Sequence, residues 1–221
     1  MDRRSCSKNF SYMVDLLSDF LQDLIYWPIY EENQDSMPKY FQYFPKTRVV
    51  LDCTEIPIEK PNCLKCRLRL YSHYKGCETV KFLIGVTPCG SICYKSKAYG
   101  GRASDKAIFL QSNLLDILDP GRDDIMVDKG FDIDLECLES HIKLIKPPKL
   151  GSSAQMSAED TLYTNRIAAA RVHVEGSIQR MKSFQIMKHK IPLLTIPLID
   201  KISIIVAALV NLKNPLLADD K

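Results

Sequence analysis

The sequence predicts a mixed α/β fold, in which helices cover both faces of one sheet. An apolar, β-branched run at 49–51 leads directly into Asp52, and such a run is typical of a strand buried on both faces. Two further strand patterns, at 79–86 and 91–99, flank a Pro-Cys-Gly turn and predict an antiparallel hairpin. Long segments with helical periodicity lie before and after these strands. This order favours an α/β sheet between helices.

Four helices are predicted from apolar stripes at helical spacing, over 12–27, 104–118, 157–184 and 198–212. Five strands are predicted from apolar or alternating runs, over 48–53, 79–86, 91–99, 124–128 and 142–145. The segments 29–46, 56–69 and 147–153 predict loops, with an extended end to the second. Ser104 is a suitable N-cap, and Ser157 with Asp160 resembles a capping box.

Composition indicates one globular domain without a strong overall charge. The chain has 221 residues, of which 46% are apolar and 26% charged, with a net charge of +3. Between residues 60 and 106, ten basic residues face only two acids and alternate with aromatic residues. This local excess fits a phosphate-binding surface, and it fits equally a solvated sheet face with lysines at its edges.

The eight cysteines predict reduced thiols rather than disulfides. The N-terminus is charged and lacks a signal-type apolar run, so we expect a nuclear or cytoplasmic protein. Cys63 and Cys66 form only half of a zinc site, and no second Cys/His pair follows at finger spacing. The apolar segment 191–210 is interrupted by two prolines and two charged residues, which predicts a buried helix and no membrane association.

Three acids are candidate metal ligands. Asp52 and Asp128 each follow an apolar strand pattern and precede a polar turn, and functional sites of open α/β sheets lie at strand ends. Two close carboxylates stay ionised only beside a cation, and Mg²⁺ or Mn²⁺ prefers oxygen ligands. Glu175 follows the apolar stripe position Val174 and can face the sheet. Two ions about 4 Å apart would clamp a phosphodiester.

Simpler roles for these acids stay open at this point. Asp52 and Asp128 can be strand-end acids that accept hydrogen bonds from turn amides. Glu175 can pair with Arg171, four residues earlier, on an exposed helix face. Spacing alone favours pairing with Arg171 over metal binding for Glu175.

Separated sequence blocks lie at 49–56, 71–75, 79–90, 99–106, 127–131, 171–175 and 180–184. In the same order, they resemble the DDE superfamily endonuclease domain of Harbinger-like transposases, in the branch often associated with THAP zinc fingers. The resemblance covers about 25–217. It implies an RNase H-like mixed sheet flanked by helices and a metal-dependent DNA endonuclease and transposase that acts in the nucleus.

The resemblance assigns the catalytic, metal-binding acids to Asp52, Asp128 and Glu175. It implies that Asp52 bridges two Mg²⁺ or Mn²⁺ ions and that each other acid holds one. Activated water would cleave DNA at a transposon end, and the freed 3′-hydroxyl would attack target DNA. Asp105 lies in a motif but suits the first turn of a helix, so it is not counted as a ligand. Basic motif residues are candidate DNA contacts: Lys75, Lys81, Arg102, Lys106, Lys129 and Lys182.

Departures from the family pattern support an alternative. Gly176 replaces an Arg after the third acid, Gln179 replaces a Gly, and Lys129 replaces the more usual Arg. A glycine within a helix costs about 1 kcal/mol relative to alanine. The alternative is a decayed or domesticated transposase fragment that binds DNA or protein without catalysis.

The domain division follows from the same resemblance. We expect 47–217 to be the endonuclease domain and 1–46 to be a helix and connecting segment, the remnant of a linker to a DNA-binding module. No THAP finger fits before Asp52. Partners compatible with this organisation are DNA, a separate DNA-binding protein and a second copy of the chain.

Overall fold

The computed structural model describes residues 2–148 and 156–213. In these residues, seven strands form one mixed sheet. The strands are β1 (Thr47–Pro57), β2 (Tyr71–Ser72), β3 (Cys77–Val86), β4 (Ile92–Lys95), β5 (Tyr99–Gly100), β6 (Asp124–Met126) and β7 (Lys143–Ile145). The helices are α1 (Arg3–Leu21), α2 (Tyr30–Asp35), α3 (Leu64–Leu70), α4 (Asp105–Leu110), α5 (Asp134–Glu139), α6 (Ala158–Ser183), α7 (Gln185–Lys188) and α8 (Ile199–Asn211).

Strand β1 lies at the centre of the sheet. It pairs antiparallel with β3 on one side and parallel with β6 on the other, and β7 pairs parallel with β6. Strands β4 and β5 both pair with β3, which confirms the predicted antiparallel hairpin. The first five residues of β1 are buried, as its apolar run on both faces requires.

Each face of the sheet has its own hydrophobic core. Val50 and Met126 point to one face, where they pack with Val174 of α6 and Val206 of α8. The alternate positions of the same strands, Val49, Leu51 and Ile125, point to the other face. There they pack in a second cluster with Ile108 of α4 and Cys137 of α5. This architecture confirms the predicted mixed sheet flanked by helices and is compatible with an RNase H-like fold.

The long helix α6 forms where its capping pattern and apolar stripe predict. The Ser157 hydroxyl accepts a hydrogen bond from the Asp160 N–H at 3.0 Å and donates one to the Asp160 carboxylate at 2.8 Å. Ile167, Ala170 and Val174 are buried along its inner face. The helix therefore covers the face of the sheet to which Val50 points.

The apolar segment Leu193–Asn211 belongs to the core. In the part of the chain that the structure describes, it is the one helical segment long and apolar enough to cross a membrane by length and composition. It consists of a 3-10 turn over Leu193–Leu198 followed by α8, whose Ile202 and Val206 are buried. Helix α8 packs against α1 and β4, in agreement with the predicted buried helix.

Some helix bounds and several short elements differ from the predictions. Helix α1 spans Arg3–Leu21 instead of the predicted 12–27, and it begins at Arg3 because the Asp2 carboxylate accepts hydrogen bonds from two N–H groups of its first turn. Helices α2 and α3 lie in segments predicted as loops, α5 was not predicted, and the third strand is divided into β4 and β5. The helix predicted over 104–118 ends at Leu110, and left-handed Asn113 (φ 53°) precedes a 3-10 turn. Residues 149–153 of the last predicted loop lie outside the described residues.

Candidate active site

The parallel pairing of β1 and β6 brings Asp52 and Asp128 together. Val50 is in register with Met126, and each acid lies two residues beyond its member of that pair. Adjacent strands are about 4.8 Å apart, and side chains two residues apart share a face. Asp52 therefore lies on the face of Val50, under α6.

The environment of Asp52 is electrostatically unfavourable for a bare carboxylate. Burial raises the pKa of Asp52 to about 6. The Arg171 guanidinium opposes this shift, and the negative charge of Asp128 adds to it. The two carboxyl groups therefore interact with each other and with one shared arginine, as expected for acids that converge on a site for positive charge.

Arg171 reaches from α6 to the strand-end acids. Its Nη1 donates a hydrogen bond to Asp128 Oδ1 at 2.8 Å, and its side chain is 12% exposed. The same carboxylate oxygen accepts the Lys129 N–H at 2.7 Å. Asp128 therefore accepts a hydrogen bond from a turn amide, as the simpler interpretation of this acid predicts. The pairing of Arg171 with Glu175 is not seen, because Arg171 forms its ion pair with Asp128.

Glu175 lies on the correct edge of α6 but is exposed. Arg171, Glu175 and Lys182 follow the i, i+4, i+11 spacing of one helix edge, and the charges of Arg171 and Lys182 both act on Asp52. The Glu175 side chain is nevertheless exposed. Among the described residues, no three His, Cys, Asp or Glu side chains are close enough to hold a metal ion. The structure thus brings Asp52 and Asp128 together but not the predicted third ligand.

Two of the three predicted ligands fit a divalent cation. Asp52 is half-buried beside another acid, and a cation would remove the cost of that arrangement. Carboxylate oxygens are the donors that Mg²⁺ and Mn²⁺ prefer. Asp52 and Asp128 would hold such an ion, and Glu175 would have to adopt an inward rotamer to join them.

Lys182 and Lys75 are candidate DNA contacts whose charges are linked to this site, because both Asp52 and Lys75 act on Lys182. Burial and the positive charge of Lys75 lower the pKa of Lys182, whereas Asp52 and Glu55 raise it. Lys75 is exposed, and its ammonium lies 4.8 Å from the centroid of the Tyr74 ring. A phosphate beside Asp52 could therefore meet two positive charges.

Lys81 has protein partners on the other side of the sheet. Its ammonium lies 3.2 Å from Glu55 Oε1, 3.1 Å from Asp105 Oδ1 and 3.1 Å from the Ala103 carbonyl oxygen. Burial lowers the pKa of Lys81, but Asp105 and Glu55 raise it by more, so the pKa lies above its ordinary value. In this structure, Lys81 is a structural cation. The sequence did not predict these contacts of Lys81 with Glu55, Asp105 and Ala103, because the residues lie far apart in the chain and no periodic pattern joins them.

The remaining basic candidates lie on the surface or in ion pairs. Lys106 lies 2.7 Å from Glu136, and Arg102 and Lys129 are exposed. Asp105 is the first residue of α4 and follows the N-cap Ser104, which confirms its predicted place in a first helical turn. Its contact with Lys81 agrees with its omission from the ligand set.

Comparison with known proteins places this geometry in a family. The profile described as DDE superfamily endonuclease matches residues 51–211. This range includes most of β1, every later element through α8 and all three candidate acids. No curated protein and no solved structure matches the chain. The match covers well over half of the chain, and the family suggests a transposase-like nuclease that acts on DNA and generally uses divalent metals. This chain is a member of the DDE superfamily endonucleases.

Proposed function

We propose that the chain is the catalytic domain of a divalent-metal-dependent DNA endonuclease and transposase, of the Harbinger-like branch. The parallel register of β1 and β6 supports this proposal, because it puts Asp52 and Asp128 at matching strand-end positions. The raised pKa of Asp52 supports it further, since burial beside a second acid suits a carboxylate that binds a cation. Glu175, one position beyond buried Val174, is the proposed third ligand.

Each side chain has a distinct role in the proposed reaction. Bound Mg²⁺ or Mn²⁺, as a pair of ions, would supply a more acidic water and stabilise negative charge on the phosphodiester. Asp52, Asp128 and Glu175 would hold these ions through their carboxylate oxygens. Lys75 and Lys182 would contact phosphate oxygens beside the cleaved bond. Cleavage would leave a 3′-hydroxyl, which would then attack target DNA.

Nicking of supercoiled plasmid DNA in Mg²⁺ or Mn²⁺ tests the assignment. Asp52→Asn, Asp128→Asn and Glu175→Gln should each lower the nicking rate roughly 10²-fold or more, because each removes a carboxylate that binds the catalytic ions. Asp116→Asn changes an exposed acid elsewhere and should leave the rate unchanged. Undiminished cleavage by Asp52→Asn would rule out this active site.

A non-catalytic role is the second candidate. Glu175 is exposed and Gly176 follows it where the resembled family has Arg, which favours a domesticated fragment that binds DNA or protein. This alternative predicts DNA binding that EDTA does not change, and no nicking. Nicking gained by Gly176→Arg would instead indicate a damaged but otherwise complete catalytic site.

The remaining proposals concern location and assembly. A DNA substrate suits the nucleus, and imaging of the tagged chain would test that location. A second copy or a separate DNA-binding protein would supply end recognition and pairing. Light scattering with and without DNA should then reveal a dimer, and a strictly monomeric complex would contradict the homodimer.

A further inference from the structure

Arg171 lies where the proposed mechanism needs a cation. Its guanidinium forms an ion pair with Asp128 and is the strongest attractive charge acting on Asp52. The two acids belong to neighbouring strands in matching register. A positive group from α6 therefore neutralises the acid pair that would bind the divalent ion.

The contacts of this guanidinium are incomplete. A guanidinium has five N–H donors, yet Arg171 Nε is buried without a hydrogen-bond partner. The bond from Nη1 occupies Asp128 Oδ1, one of the two carboxylate oxygens through which Asp128 would hold a metal ion. The Asp128 side chain is 56% exposed, so this ion pair lies at the edge of the site. An ion pair there is easier to exchange than one deep in the core.

We propose that Arg171 is a built-in counter-ion of Asp52 and Asp128, which a divalent cation must displace in order to bind. This inference rests on the proposed function, because it assumes that both acids are metal ligands. Guanidinium and metal ion compete for the same carboxylate oxygens, so metal binding and release of Arg171 form one equilibrium. Arg171 keeps the acid pair together in the absence of metal and lowers its apparent affinity for the ion.

Calorimetric titration of MnCl₂ into the full chain without DNA tests this competition. Arg171→Gln removes the competing charge and should tighten Mn²⁺ binding about fivefold, the factor that one partly exposed ion pair supports. Arg171→Lys keeps the charge and should stay close to the parent. Arg166→Gln is the matched control on the same helix, because that guanidinium lies 3.9 Å from the Tyr43 ring centroid, away from the acids; it should change nothing.

Weaker or unchanged Mn²⁺ binding in Arg171→Gln would overturn the inference, since the arginine would then support the ligands or play no part. Asp52→Asn and Asp128→Asn separate this outcome from failure of the proposed function. If Mn²⁺ binding requires both acids but is insensitive to Arg171, only the inference fails. If Mn²⁺ binding is absent, or ignores both acids, the metal site itself is wrong and the inference falls with it.

A second measurement uses the unaltered chain and does not depend on the folding of a variant. Labelling with phenylglyoxal, which reacts with accessible arginines, is followed by mass spectrometry with Mn²⁺ or with EDTA. Displacement predicts that Mn²⁺ increases the labelling of Arg171 while that of Arg166 stays constant. Reduced or unchanged labelling of Arg171 on saturation with Mn²⁺ would contradict displacement.

Discussion

Asp52 combines burial with a neighbouring negative charge. Its pKa of about 6, against an ordinary value of 3.8, arises first from burial. Because the folded state binds the proton more tightly than the unfolded state, protonated Asp52 favours folding. Its contribution to stability is fully present below about pH 3.8 and is lost as pH rises through about 6.

We therefore predict that Asp52→Asn is more stable than the parent at pH 7 in EDTA. The expected gain in the free energy of unfolding is about 2 kcal/mol, because the neutral amide avoids the cost of ionisation. The difference should shrink as pH falls from 7 to 4. Denaturant unfolding at several pH values measures it, and a pH-independent difference would show that Asp52 is not strained by ionisation. Added Mn²⁺ should stabilise the parent and not the variant.

Lys81 provides a contrasting residue, because its charge is satisfied within the protein. Its side chain is 11% exposed and that of its partner Glu55 is 7% exposed. Lys81→Met should lower the free energy of unfolding by about 3 kcal/mol, since Glu55 would remain buried without its cation. Lys75→Met removes an exposed lysine and should change stability by less than about 0.5 kcal/mol. Urea unfolding of both variants compares them; equal stabilities would argue against a structural Lys81.

The Lys75→Met variant also tests whether Lys75 contacts DNA. Lys75→Met should weaken DNA binding and reduce its salt dependence, because one phosphate contact is lost. A fluorescence titration with a short duplex at several salt concentrations measures both effects. A binding curve of Lys75→Met that matches the parent at every salt concentration would remove Lys75 from the DNA surface.

Among the secondary-structure elements, the Gly100-Gly101 pair allows β5 to approach the end of α3 and strand β3 closely. A Cβ at Gly101 would lie 2.0 Å from Thr79 Oγ1 and 2.8 Å from the Leu70 carbonyl oxygen. Both distances are shorter than any normal contact, and the second involves backbone. The pair therefore fixes how the 99–106 motif packs on the sheet.

Gly101→Ala should accordingly destabilise the fold by about 2 kcal/mol, as overpacking does in a well-packed interior. Gly130→Ala is the control, because a Cβ there meets no atom within 4 Å. Thermal unfolding of both variants gives the comparison. A melting temperature of Gly101→Ala equal to that of Gly130→Ala would mean that the close approach relaxes without cost.

At the scale of the whole molecule, the most apolar segment completes the first core. Val206 of α8 is 3% exposed and packs in the cluster that contains Val50 and Val174. Leu194, in the preceding 3-10 turn, is 90% exposed. This uneven burial is typical of a core helix, whereas the whole circumference of an isolated membrane span would face lipid.

Val206→Asp should therefore abolish folding or lower the free energy of unfolding by about 4 kcal/mol or more, since it buries an unpaired charge. Leu194→Asp should be tolerated, because its side chain already faces solvent. Soluble yield and circular dichroism of the two variants distinguish them. Similar behaviour of both variants would contradict the packing of α8 against α1 and β4.

Local pattern was sufficient for the elements with strong periodicity. The apolar run of β1, the hairpin, α6 and α8 all appear where the sequence predicts them. Short elements were missed, because six or seven residues, as in α2, α3 and α5, carry too little periodic signal. Helix α4 stops early for a local reason, the left-handed conformation of Asn113, which apolar spacing does not reveal.

The amino-acid pattern alone was enough to predict the buried central strand, the acids that follow two strand patterns, and the order of the family motifs. These depend on side-chain type and on short spacings along the chain. The three-dimensional fold was needed to show that β1 and β6 pair in parallel, with Asp52 and Asp128 in matching positions. It was also needed to show that Arg171 joins these acids and that Glu175 stays exposed. Asp128 and Arg171 are 43 residues apart, and when a charged side chain has several possible partners, packing of distant elements selects among them.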